Sequence, residues 1–267
     1  MQLTALQKFR RTVIVASVLV VGAVTSAYGQ AGPSLGADAA SAHAAAPINL
    51  TGYWVSIITE DWRWRMVTPA RGDYQSVPIN DEAYRIALKW DPAKDEAAGE
   101  QCKAYGAAAL MQVPERLHID WQDDSTLKVE TDAGMQTRVF HFGEWKPPAG
   151  TVASWQGESQ ALWQFSSGPA VAAVKQSAPE KRLGNLKVIT GHLRPGYLRK
   201  NGVPYSERTV VTEYWDLVSQ HNGELWIVIT SLVHDPAYLQ NDWITALHFK
   251  KEPDGTKWDP EPCSARW

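Results

Sequence analysis

The side chains of this sequence that can do acid–base or anion chemistry gather in three places. The first surrounds Gln220-His221-Asn222-Gly223-Glu224, where an Asn-Gly pair between two apolar runs predicts a β-hairpin with a two-residue type I′ loop. With Asn222 and Gly223 as that loop, Val211, Glu213, Trp215 and Leu217 share a face with His234, Leu232, Thr230 and Val228. Glu213 and His234 then become diagonal neighbours on an aromatic, apolar surface, where a carboxylate and an imidazole with shifted proton affinities can serve as acid and base. A loop one residue longer would turn one strand over and break the pair.

The second place is Asp61-Trp62-Arg63-Trp64-Arg65-Met66. Read as a strand, it puts Trp62, Trp64 and Met66 on one face and Arg63 and Arg65 on the other. Inward-facing arginines would make an anion site for a carboxylate or phosphate. Ordinary burial preferences favour the opposite arrangement, with the tryptophans in the core and the arginines solvated. The third is the turn Gly191-His192-Leu193-Arg194-Pro195-Gly196-Tyr197-Leu198-Arg199, which offers His192, Arg194 and Tyr197 as donors and a stacking surface. Such a turn can line a barrel mouth or merely hold its strands. The catalytic candidates, should the protein be an enzyme, are therefore Glu213, His234 and His192. Trp62, Trp64, Arg63, Arg65, Arg194, Tyr197 and Trp215 are the candidates for ligand contacts.

His118, His141 and His248 sit singly in strand-like segments, and no pair of histidines has His-x-His or His-x-x-x-His spacing, so no metal is expected. There is no Gly-x-Ser-x-Gly elbow, phosphate-cradling glycine loop, dinucleotide fingerprint or Cys-x-x-Cys, and no cofactor is expected.

The elements that must position these groups are mostly short strands. Alternation marks residues 50–58, 117–121, 127–131, 136–142, 186–192, 209–219, 224–234 and 243–250, punctuated by turns such as Asp123-Asp124-Ser125 and Asp132-Ala133-Gly134. Two helices are expected, over 81–90 behind an Asn80 or Asp81 cap and over 95–105 with Cys102 on it. Residues 143–150 and 167–183 read as loops. This pattern predicts a mainly β fold, an antiparallel lipocalin-like barrel or a sandwich, with two short helices near residues 81–105.

The opening Leu50-Thr51-Gly52-Tyr53-Trp54 resembles the Gly-x-Trp start of lipocalin-type barrels, which implies that Trp54 closes one barrel end. A longer stretch, roughly 100–250, resembles an uncharacterised family of secreted bacterial β-rich proteins. It is carried by Cys102-Lys103-Ala104-Tyr105-Gly106, Gly184-Asn185-Leu186-Lys187-Val188, Asn201-Gly202-Val203-Pro204-Tyr205-Ser206, Thr212-Glu213 and Asp235-Pro236 before Trp243. The resemblance implies architecture and brings no activity with it.

Lys8, Arg10 and Arg11 precede a short apolar run over 12–24, and Ala27-Tyr28-Gly29 supplies small residues for cleavage, so residues 1–29 read as a secretory signal peptide cut near Gly29. Residues 30–47 read as a flexible leader and 48–267 as a single barrel-like domain. The expected destination is the periplasm or the exterior, with no membrane span after cleavage. Export permits a disulfide between the two cysteines, Cys102 and Cys263. The formal charge of −3 becomes three units more negative without the signal peptide, which leaves no electrostatic footprint for nucleic acid.

Thirteen tryptophans in 267 residues are a large aromatic endowment. Together with the barrel, they predict a protein that binds a small hydrophobic or aromatic molecule. A cofactor-free lyase, isomerase or hydrolase on such a molecule, and a cell-envelope interaction protein, are the alternatives.

Overall fold

The computed structural model describes residues 41–165 and 183–266. The signal-peptide segment, residues 30–40 of the leader and nearly all of the 167–183 loop lie outside the described residues. In chain order the strands are β1 (Gly52–Ile57), β2 (Arg116–Asp123), β3 (Thr126–Thr131), β4 (Ala133–Gly134), β5 (Thr137–Phe142), β6 (Glu158–Phe165) and β7 (Gly184–Gly191). They continue as β8 (Gly196–Arg199), β9 (Val203–Tyr205), β10 (Val210–Ser219), β11 (Leu225–His234), β12 (Trp243–Lys251) and β13 (Glu261–Pro262). The helices are α1 (Trp62–Arg65), α2 (Asp81–Ala87) and α3 (Pro92–Ala97).

Nine strands close into one barrel in the order β1-β12-β11-β10-β7-β6-β5-β3-β2, which decides between the barrel and the sandwich. An odd number of strands cannot alternate direction all the way round a ring. One contact must be parallel, and it is β5 with β6, paired at Phe140 with Ser159 and Phe142 with Ala161. The barrel is therefore not wholly antiparallel as expected. Residues 143–157, which join β5 to β6, must return the length of the barrel, the long crossover that a parallel pair requires. Its start is anchored where Trp145 stacks on His141, 3.8 Å between centroids.

Alternation places Trp54, Leu117, Ile119, Leu127, Val129, Phe140, Leu186, Val188, Trp215, Ile227, Ile229 and Phe249 inside, where they form one packed core. Residues 41–50 pack against the end of the barrel where β1 begins. Trp163 Nε1 donates to the Ala42 carbonyl at 2.7 Å, His43 stacks on Trp121, and Leu50 is buried. Residues 41–47 are thus a stopper, although their composition reads as leader. Trp54 donates Nε1 to the Leu50 carbonyl at 2.8 Å and carries Lys251 Nζ 4.4 Å from its ring, in keeping with a barrel-closing role.

The opposite end lies beneath a cap built from residues 58–115, 192–209 and 235–242, while the tail leaves β12 beside Tyr53, at the end where β1 begins, and reaches the cap at Cys263. The central piece of the cap is Gly106-Ala107-Ala108-Ala109-Leu110-Met111, buried throughout, with Met111 packed into the barrel core. A second core joins Tyr74, Val77, Leu193, Leu198, Val203, Tyr205 and Trp243 beneath the cap. Cys102 and Cys263 are bonded, which fastens the C-terminal tail to the cap. Both expected helices are shorter than their patterns predict. α2 keeps its Asn80 cap, which accepts from Ala83 N, and ends at Ala87. α3 is capped by Asp91, starts at Pro92 and ends at Ala97, so Cys102 is not helical.

Candidate functional site

The hairpin between β10 and β11 pairs Ser219 with Leu225 and Val210 with His234, one residue out of the expected register. Its loop is His221, Asn222 and Gly223, with Gly223 in the left-handed region at φ 84°. Asn-Gly serves a three-residue loop as well as a two-residue one, because glycine meets the left-handed requirement in either. Glu213 consequently faces Ser231 inside the barrel, whereas His234 points outward and bonds Asp242 Oδ1 at 2.7 Å. The expected Glu213–His234 pair does not form.

Glu213 instead meets Arg138, which alternation turns inward from β5. Arg138 Nη1 and Nη2 donate to the two carboxylate oxygens at 2.9 and 2.6 Å, and both side chains are essentially inaccessible. Nη2 also donates to Thr190 Oγ1 at 3.2 Å, and Thr190 bonds Ser159 at 2.8 Å. A carboxylate gripped on both oxygens by a guanidinium is a structural counter-charge, not a base. Trp215 lies beside it, edge-on to Phe140, and is core rather than ligand wall.

A cavity opens at the cap, between α1, the buried 104–113 segment, the end of β8 and Trp243. Trp64 and Trp243 form aromatic walls, Arg65, Arg199 and Lys200 bring positive charge, and Thr68 and Gln112 add polar contacts. The segment 61–67 forms a short helix rather than the expected strand, so its residues do not alternate. Arg65 is buried while Trp62 and Met66 are exposed, the reverse of the favoured reading. Four residues are too few for a period of two to be told from one of 3.6. Arg65 Nε and Nη2 donate to the carbonyls of Gln112 and Met111 at 2.9 and 3.3 Å, and Nη1 is buried with no hydrogen-bond partner. Thr68 Oγ1 is likewise buried and unpaired.

Arg199 is clamped. It donates to the Gln75 carbonyl and Ser76 Oγ, each at 2.5 Å, and to Asp61 Oδ2 at 3.3 Å, while its guanidinium lies 5.1 Å from the Trp64 ring and 5.8 Å from the Trp243 ring. Asp61 and Ser76, joined by a 2.6 Å hydrogen bond, both hold positive φ, at 52° and 66°. Strained non-glycine backbone on two sides of one arginine is the kind of feature that gathers at ligand sites. Trp64 is oriented by its Nε1 bond to Asp73, which also pairs with Arg63.

Behind this wall Glu115 is buried with neither oxygen hydrogen-bonded. Burial, reinforced by Asp132, raises its carboxyl well above the usual range against the pull of Arg65. Burial also lowers Lys200 to about 7, opposed by Glu115 and Glu261. Its amine donates to Tyr105 Oη at 2.5 Å.

Arg194 and Tyr197 lie in a separate network. Arg194 pairs with Glu100 and packs on Trp155, while Tyr197 bonds Asp95 at 3.0 Å and is raised to about 12, chiefly by burial. Lys103 completes it against Asp95. His192 is exposed, with φ 55°. Of the residues singled out from sequence, the cavity thus unites Trp64 and Arg65. Trp62 and Arg63 stay outside, as do His192, Arg194 and Tyr197. Arg199, Lys200 and Trp243 were not legible as members, although Leu198-Arg199-Lys200 ends a strand at the turn already flagged as a mouth.

The fold and this cavity define a closed, mixed nine-stranded barrel with a cationic, tryptophan-walled cleft under its cap. No family model matches the chain, and no curated protein or solved structure matches it.

Proposed function

We propose that the protein is an exported binding barrel whose cap cavity takes a small molecule with an anionic head and an apolar or aromatic body. The observation that carries this is the pair of buried, unpartnered donors, Arg65 Nη1 and Thr68 Oγ1, on residues lining a cavity walled by Trp64 and Trp243. Buried polar groups are almost always satisfied, so donors left open beside a cavity call for an acceptor in it. Arg65 offers a charge-assisted bond to a carboxylate, and the indoles offer faces for an apolar body. The free space in the cavity, about 30 Å³, holds one or two waters. A larger guest must displace the outer wall, residues 62–68, where Trp62, Met66 and Val67 are already exposed. The disulfide suits an oxidising compartment, and no helix among the described residues is long and apolar enough to cross a membrane.

Isothermal titration with 3-phenylpropanoate and its neutral amide tests the reading. The acid is expected to bind more tightly, and Thr68→Val and Arg65→Gln to weaken it by about tenfold to a hundredfold, the loss of a hydrogen bond to a charged group. Equal affinity for acid and amide would contradict an anion site.

A further inference from the structure

We propose that the outer face of β7, β10, β11 and β12 is an interface for a second copy of this chain, the two copies related by a two-fold axis. This contact lies on the barrel wall and does not depend on the cap cavity.

The barrel wall has two kinds of outer surface. On β1, β2 and β3, register places Tyr53 beside His118, His118 beside Glu130 and Asp120 beside Lys128. His118 and Lys128 both engage Glu130, Arg116 pairs with Glu252, and Trp258 of the tail lies edge-on to Tyr53 and His118. Trp145 covers His141 on β5 in the same way. That sector is charged, paired within itself and partly covered. Across β7, β10, β11 and β12, one outer row runs Ile189, Thr212, Leu232, Ile244, and the next runs Lys187, Tyr214, Thr230, Ala246. Ile189, Ile244 and the neighbouring Val210 are exposed. An antiparallel sheet that faces water ordinarily turns polar residues outward, so an apolar sector on one side of the barrel marks a contact surface.

The charges on this face say which partner fits. Those that β7 and β10 turn outward are Lys187 and Asp216, two rows that flank Tyr214. Lys187 Nζ lies 5.4 Å from the centre of the Tyr214 ring, and neither Lys187 nor Asp216 has a hydrogen bond or ion pair among the described residues. One unpaired cation and one unpaired anion, offset on the same face, are self-complementary. A two-fold axis lying in the contact plane midway between them sets each Lys187 on the partner's Asp216 and each Asp216 on the partner's Lys187. With strands about 4.8 Å apart and a rise of about 3.4 Å per residue, that axis passes beside Tyr214 and Thr230. Each tyrosine then meets its own copy, and Leu232 meets the partner's Ala246. The centre of the contact is aromatic and aliphatic and its charges are paired, the composition of an interface between identical chains. The barrel wall curves away on either side, so the contact is small and the dimer dissociates on dilution, with a Kd on the order of 10–100 μM.

Sedimentation velocity over about a hundredfold range of protein concentration spanning that Kd is the test. Monomer and dimer are expected to exchange across the range. Lys187→Glu should weaken the dimer by about tenfold or more, because it sets two pairs of like charges against each other, and Lys187→Glu with Asp216→Lys should restore it. The two native cysteines are bonded to each other, so Thr230→Cys adds one thiol beside the axis, and mild oxidation should link it to its own copy as a covalent dimer. Circular dichroism melting shows whether each variant is folded, and the wild-type and Thr230→Cys readouts stand without the charge variants. A wild-type chain that stays monomeric throughout overturns the proposal. A dimer that Lys187→Glu leaves intact, or that the double exchange fails to restore, uses another surface and overturns this one.

Discussion

Glu213 and Glu115 are both buried carboxyls, yet Glu213 has a guanidinium on both its oxygens and Glu115 has a hydrogen-bond partner on neither. Removing the charge of the first leaves Arg138 buried and uncompensated, so Glu213→Gln is expected to cost about 3–5 kcal/mol in urea unfolding. Arg138→Met combined with Glu213→Leu should cost less than either alone; additive losses would contradict the pair. The second acts in the opposite sense. With its folded-state value raised, Glu115 favours the unfolded chain wherever that chain has released the proton and the folded one has not. The penalty is absent below its ordinary value of about 4.5 and grows as pH rises. Glu115→Gln should therefore match wild type near pH 4 and be the more stable at pH 8, the gap widening by up to about 1.4 kcal/mol per pH unit. A constant difference across that range would show that Glu115 ionises normally in the fold.

At the scale of elements, the buried segment from Gly106 to Val113 joins barrel to cap. A Cβ added to Gly106 would press on Tyr205 Oη and lie 2.9 Å from the Trp155 carbonyl oxygen. Gly106→Ala is expected to lower stability by about 1–3 kcal/mol, and Leu110→Ala, which empties a fully buried site, by about 2–5 kcal/mol. Thermal unfolding followed by circular dichroism measures both; unchanged midpoints would mean the segment is not packed as described. Strands were legible because one polar and one apolar face leave an alternating record. The register of β10 on β11 was not, since a single residue of loop length decides it and Asn-Gly fits both lengths. β6 and the β8–β9 hairpin left weaker traces. The segment 106–113 left none, because a stretch buried on all sides has no periodicity to read.

On the scale of the whole molecule, a barrel filled by its own side chains moves the candidate site from its interior to its cap. The Cys102–Cys263 bond closes a separation of 161 residues, so Cys102→Ser with Cys263→Ser should lower stability by about 2–5 kcal/mol. Wild-type stability on reduction would contradict a structural role. The barrel, the disulfide pairing and two cavity residues, Trp64 and Arg65, could be anticipated from sequence. Arg199, Lys200 and Trp243 could not, because four chain segments far apart converge there. On the proposed function, ligand is held at the cap and not in the barrel. The most direct measurement follows the tryptophan indole N–H resonances by NMR as 3-phenylpropanoate is added. Shifts are expected at Trp64 and Trp243 with Trp54 and Trp215 unmoved; shifts confined to Trp54 and Trp215 would put the ligand in the barrel instead.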